Sequence, residues 1–236
     1  MSYLRIFSSQ SEYDSANMPK GSVGLIKDGE DRIVWWQNTS SLYEWVDLGL
    51  PSGLKWAAWN VGATKPEEFG LYFAWGETQG YTGITDEKQF YWGDYTIATD
   101  GGSTLTKYNA TDGLITLEAV DDAAYATDNT CRMPTSGECQ ELIDNTTSEW
   151  VDDYNGTGVA GRIFTSNVNG NSIFVPVSGY CDRGFVLYVG QRGFLWSSSL
   201  YSSYVQHAFL LGFSSDMVSV YTGYRYVGLP VRAVKS

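Results

Sequence analysis

The chain has 236 residues and a mass of 26.2 kDa, enough to bury about 70% of its unfolded surface without disulfide or metal support. With 15 Lys+Arg against 27 Asp+Glu, its net charge of −12 excludes a nucleic-acid partner, because counterion release needs clustered cations. Charged residues make up only 18% and aromatics 15%, the reverse of a disordered acidic chain.

Met1 to Lys20 lacks a basic stretch followed by an apolar run, so no signal peptide is expected, and no later window is apolar enough for a membrane span. Leu4–Phe7 reads as a short strand. Ser9 and Glu12 have capping-box spacing for a brief helix through Ala16, which Pro19–Gly21 ends. Residues 22–27 and 32–36 flank Asp28-Gly29, a hairpin signal. Residues 1–40 are therefore expected to form a small β-α-β-β unit for docking or oligomerisation, with a linker at 37–41.

Residues 41–236 read as a second domain of short strands and many glycines. Thr135 and Glu138, after Pro134, form a capping box that opens a helix through Cys139, Leu142 and Ile143. A second helix is expected around 117–126, with Leu117, Val120, Ala124 and Tyr125 on one face. Asn169-Gly170 predicts a hairpin joining Ile163-Phe164 to Ile173–Val175. Two helices among irregular strands define an α+β class.

Catalytic machinery is sparse. His207, the only histidine, sits in an alternating apolar stretch as a surface residue of a strand or loop, which removes most metal-ligand and nucleophile–base sets. Cys131, Cys139 and Cys181 read as three partly buried reduced thiols or as one disulfide with a free thiol. The pairs Glu67-Glu68, Asp121-Asp122 and Asp152-Asp153 read as acidic turns, since adjacent residues point different ways. No phosphate-binding glycine loop is present. No catalytic residue, metal ligand or cofactor is expected.

The informative feature lies late in the chain. Between Gly184 and Val231 only Arg192, Asp216 and Arg225 are charged, while six Tyr and eight Ser occur. Tyr supplies large contact area at low entropy cost and Ser adaptable hydrogen bonding, the chemistry of a recognition surface. The alternative is an amphipathic sheet with an ordinary hydroxyl-bearing face.

The ordered motifs VDLGLPSGLKWAAWNVGA (Val46–Ala63), PEEFGLYFAWGET (Pro66–Thr78), LTKYN (Leu105–Asn109), DDAAY (Asp121–Tyr125), CRMPTSGECQEL (Cys131–Leu142), GNSIFVPVSGY (Gly170–Tyr180), LWSSSLY (Leu195–Tyr201) and GLPVRAV (Gly228–Val234) resemble the major paralogous domain first noted in Fibrobacter and abundant in Bacteroidales. The resemblance covers residues 43–235 and implies a C-type-lectin-like fold related to formylglycine-generating enzymes. Residues 196–231 further resemble the variable region of proteins diversified by retroelements, in which randomised Asn codons never yield Lys, Glu, Gln, Met or Trp; from Ser197 to Val231 only Gln206 and Met217 depart from that pattern. The resemblance implies a scaffold of Trp196, Leu200, Leu211, Phe213, Asp216, Val218, Arg225, Gly228 and Arg232. It implies a ligand-binding face of Tyr201, Ser203, Tyr204, Val205, His207, Leu210, Gly212, Ser219, Tyr221, Thr222, Gly223, Tyr224, Tyr226, Val227 and Leu229. Strand alternation buries Leu211 and Phe213 and presents Leu210 and Gly212, with Val218 and Val220 opposite Ser219 and Tyr221. Arg225 and Arg232 are expected to pair with acids such as Asp216 or Glu77.

The expected function is binding of a variable protein or glycan target on a cell surface, with no cofactor and with room for homo-oligomerisation. The unseen signal peptide points to a phage or prophage tail protein of the virion. An exported adhesin of the bacterial surface is the alternative. An enzyme of the formylglycine-generating fold would need Cys181, and a calcium-dependent lectin would need more oxygens than the nearest triplet, Trp92-Gly93-Asp94, offers.

Overall fold

In the N-terminal unit β1 (Ile6–Phe7) runs parallel to β2 (Val23–Lys27), which pairs antiparallel with β3 (Ile33–Gln37) through Leu25↔Trp35. The computed structural model describes residues 6–7, 23–27, 33–37 and 42–236, and contacts divide the chain after Leu42, just past the expected linker. The three strands fit the expected β-α-β-β unit, whose helix at Ser9–Ala16 and turn at Asp28-Gly29 lie outside the described residues.

The second unit opens with β4 (Trp45–Asp47), β5 (Lys55–Ala57) and β6 (Tyr72–Phe73), followed by the small hairpin β7 (Ala98–Thr99) and β8 (Thr104–Leu105). Helices α1 (Ala123–Thr127) and α2 (Ser136–Asn145) come next. One sheet contains β9 (Thr146–Val151), β10 (Gly161–Ser166) and β11 (Ser172–Pro176), and β12 (Tyr180–Asp182) and β13 (Phe185–Leu187) form a ribbon. A further antiparallel sheet is built from β14 (Gly193–Leu200), β15 (His207–Phe213) and β16 (Val218–Tyr224). The chain then returns: β17 (Leu229–Pro230) pairs with β6, and β18 (Val234–Lys235) with β5. The result is a sheet-rich α+β fold in which the end of this unit is tied back to its beginning.

Helix α2 forms where its capping box predicts. Thr135 Oγ1 accepts from the Glu138 amide at 3.2 Å, Glu138 Oε2 accepts from the Thr135 amide at 2.7 Å, and Arg132 clasps the same carboxylate with both terminal guanidinium nitrogens. Its buried Cys139 and Leu142 meet Leu48, Trp56, Phe164, Leu195, Leu211 and Phe213 in the main core.

The helix expected over 117–126 is cut short. Asp122 accepts from the amides of Ala124, Tyr125 and Met133, so it starts a new five-residue helix; Val120 stays 74% exposed and Tyr125 also lies open rather than on a buried face. The Asn169-Gly170 hairpin is present, with Phe164↔Ile173 in register. Its loop spans 167–171 instead of two residues, because Ser166 Oγ accepts from the Val168 and Asn169 amides and Gly170 takes φ +76°.

In the C-terminal sheet Leu195, Leu211, Phe213, Val218 and Val220 turn inward to the core. All three cysteines are buried, and no disulfide joins them. Burial pushes the Cys181 thiol up to about 12, leaving it neutral at physiological pH.

Arg225 and Arg232 do not pair with acids as expected. Arg232 donates to Asn60 Oδ1 at 2.8 Å and to the carbonyls of Ala57 and Phe174 at 2.9 and 3.0 Å. Arg225 donates to Tyr95 Oη and to the carbonyls of Lys107, Tyr108 and Val205, with its guanidinium over the Trp75 ring. Glu77 instead holds the buried Lys88 at 2.7 Å, and Asp216 is exposed. Local chain geometry supplies enough carbonyls at each site to make a carboxylate unnecessary.

Replacing Arg232 with Ala strands three acceptors in a fully buried site, and we expect a loss of about 3–5 kcal/mol in chemical denaturation. Arg232→Lys should recover little, since a point ammonium cannot span the same fork.

Candidate functional site

An open trough of about 1160 Å³ lies across the outer face of the C-terminal sheet. Its floor rests on a glycine. A Cβ on Gly212 would stand 2.9 Å from Tyr221 Cδ2 and 3.3 Å from Phe194 Cδ1, so the absent side chain lets the Tyr221 ring lie on the strand beside Phe194. Leu210, Thr222, Gly223, Tyr224, Tyr226, Val227 and Leu229 also line it.

The walls come from elsewhere in the chain. Trp150 lies in β9 and Asp152 just after it, joined by a 2.7 Å bond from the indole N–H to the carboxylate. Tyr180, Asp182 and Arg183 come from the β12–β13 ribbon, and Gln191 and Arg192 from the turn before β14. None of these was expected from the sequence. For Tyr180, Asp182 and Arg183 the one available signal was their aromatic and charged character just before the charge-poor stretch.

A second group forms an aromatic chain beside the trough. His207 lies 4.8 Å from Tyr204 and 4.3 Å from Tyr224, Tyr224 stacks on Tyr226 at 5.4 Å, and Trp92 meets Tyr226 edge-on at 4.9 Å. Arg183 donates to Tyr226 Oη at 3.0 Å, which joins the ribbon to this chain.

The expected face is thus brought together only in part. Tyr204, Tyr221 and Tyr224 are 37–46% exposed and Ser203 is open, while Tyr201, Val205, His207, Ser219, Thr222, Gly223 and Val227 are half-buried. Four positions are corrected. Tyr226 is buried because Trp92, Tyr224 and Arg183 enclose it. Leu229 is buried because β17 pairs Leu229 with Phe73. Leu210 is buried although it points outward, since it pairs across the strands with the buried Trp196 and packs on Gly223. Gly212 also points outward but lies beneath Tyr221.

The expected scaffold residues Trp196, Leu200, Leu211, Phe213, Arg225, Gly228 and Arg232 are buried, whereas Asp216 is exposed and Val218 half-buried. Trp196 donates its indole N–H to Phe73 O at 2.9 Å.

His207 is not simply a surface histidine. Its Nδ1 lies 3.3 Å from Thr222 Oγ1, and its buried Nε2 has no hydrogen bond among the described residues. Desolvation holds its pKa below the ordinary value of 6.5.

No group of acids, cysteines and histidine among the described residues could hold a metal ion. Asp94, the carboxylate of the nearest calcium-like triplet, accepts from the Gln89 and Tyr91 amides and faces Lys88 at 3.4 Å, so donors already surround it. No helix among the described residues is long and apolar enough to cross a membrane. Comparison with protein-family models, with curated proteins and with solved structures gave no match to this chain.

A histidine held below its ordinary pKa stabilises the fold fully above pH 6.5 and progressively less as pH falls from there toward its lowered value. Thermal melts between pH 8 and 5 should therefore show wild type losing more stability than His207→Gln, and parallel losses would refute this.

Proposed function

We propose that this is a non-enzymatic ligand-binding protein of C-type-lectin-like fold whose C-terminal sheet recognises a protein or glycan target on a cell surface. The observation that carries the reading is the trough, where exposed Tyr221 and Tyr224 stand among hydroxyl and glycine positions on a sheet fixed from behind by Leu211, Phe213, Val218 and Val220. The motif resemblance supports the fold and the diversified character of residues 196–231. An outward-facing setting, on a phage tail or a bacterial surface, suits such a face. Buried neutral thiols give no support to cysteine-based catalysis.

Clustered exposed aromatics tend to be hot spots, while exposed substitutions generally change stability by about 0.5 kcal/mol or less. The double variant Tyr221→Ala/Tyr224→Ala should keep its melting temperature within a few degrees and lose binding to immobilised bacterial envelope fractions and glycan arrays. Trp196→Ala should instead lower stability by about 3–5 kcal/mol. Unchanged binding in the double variant would overturn the assignment of this face. Diversification has its own check: a nearby near-copy of the segment's DNA, differing only at adenines and lying beside a reverse transcriptase gene.

A further inference from the structure

Strand β16 is the edge of the C-terminal sheet, in the order β14-β15-β16. The bonds that flank its pairing with β15 fix which way its main chain points. At one end Ser214 N–H donates to Met217 O at 2.9 Å, and at the other Arg225 N–H donates to Gln206 O at 3.0 Å. Both pairs continue the register of Gly212↔Ser219, Leu210↔Tyr221 and Ala208↔Gly223, so these are the hydrogen-bonded pairs of an antiparallel ladder. Alternation then turns the N–H and C=O groups of Val218, Val220, Thr222 and Tyr224 away from β15. Among the described residues none of these four amides donates a hydrogen bond; Tyr224 O accepts from Val227 N–H, and Val220 O meets Ser219 Oγ at 3.4 Å.

Exposure agrees with this geometry. No residue of β16 is buried, although five of the seven in β15 are. Natural edge strands are usually guarded by lysine, proline, bulges or an inward-pointing charge. The sequence VSVYTGY has no charge and no proline, and its seven residues pair with β15 without a register shift. The trough borders this strand through Tyr221, Thr222, Gly223 and Tyr224.

We infer that β16 receives an extended segment of a protein partner as an added strand, with the free main-chain groups supplying hydrogen bonds and the trough receiving alternate side chains. The inference rests on the proposed ligand-binding role of this sheet and narrows its target to a polypeptide. Charge selects the occupant. A second copy would bring another net charge of −12 to an edge that has no basic residue between Asp216 and Arg225, so the partner segment is neutral to basic.

The test uses the full chain and a randomised library of extended, lysine-flanked peptides, from which the best binder is synthesised. Amide hydrogen exchange measured with this peptide should slow at Val218, Val220, Thr222 and Tyr224 together. Val220→Pro removes one outward donor without touching the ladder and should weaken the peptide about tenfold, while Val220→Thr, which keeps the donor, should not. Because the proline variant could perturb the fold, the exchange pattern of the wild-type chain stands as an independent readout. A peptide that shifts Tyr221 and Phe194 but leaves the four amides exchanging freely would overturn strand addition and leave the trough reading intact. Failure to select any binder, or protection of the four amides that grows with protein concentration in the absence of peptide, would also overturn the inference. The second result would assign the edge to self-association.

Discussion

Three buried or nearly buried guanidinium groups fasten the C-terminal sheet by bonding to main-chain oxygen instead of carboxylate. Arg162 reaches from β10 to the carbonyls of Ser214 and Ser215 and holds the β15–β16 turn. Arg225 grips the other end of the hairpin through Val205 O and carries it to the 107–108 loop. Arg232 ties the last segment to Ala57 and Phe174. A guanidinium has five donors in a fixed fork, so each arginine fixes several loops at once. Carbonyl partners have a further consequence: they are present whatever side chain their residues carry. Arg225 holds Val205 by its backbone, so a different residue at 205 leaves that grip in place.

If the surface is diversified as proposed, this arrangement would let its side chains change while its strands stay put. Both ends of the β15–β16 hairpin are clamped, and its inner face is locked to α2 through Leu211, Phe213, Val218 and Val220. Freedom is left at Tyr204, Ser219, Tyr221 and Tyr224. It is not left at Tyr226, which meets the Trp92 ring at 4.9 Å, nor at Leu210 and Leu229, which are buried where their strands pair them with Trp196 and Phe73. Variation at these three would be limited by packing density, where a change of even a methylene is felt. The exposed part of this face is smaller than the segment 196–231, and Trp150, Tyr180 and Arg192 from other elements complete the trough.

What could be read in the sequence followed from short-range rules. The capping box at Thr135-Glu138, the hairpin at Asn169-Gly170 and the inward alternation of Leu211 and Phe213 each depend on residues a few positions apart. The errors arose where a distant element decided. Asp122 broke a helical pattern because the Met133 amide, eleven residues on, shares its carboxylate. Leu229 looked exposed until β6, more than 150 residues earlier, paired with it. The trough walls were illegible for the same reason, being assembled from β9, the β12–β13 ribbon and the turn before β14, which no local period connects.

Polarity along the chain has a structural counterpart in where water is met. The acidic residues outside the C-terminal stretch mostly occupy loops and caps: Asp112 and Asp153 close turns, Glu68 accepts from Thr64, and Asp121 holds Lys107. These positions keep the molecule hydrated and net negative while the sheet that carries Tyr221 and Tyr224 remains uncharged. A sticky face on an otherwise strongly charged body resists collecting copies of itself, since every encounter between two molecules brings like charges together before the faces meet. Under the inferred strand addition, the same asymmetry would favour partners of opposite or no charge at the open edge of β16. Main-chain groups there are also indifferent to side-chain replacement, so under the inferred strand addition the edge would keep its hydrogen bonds whatever side chains stand above it.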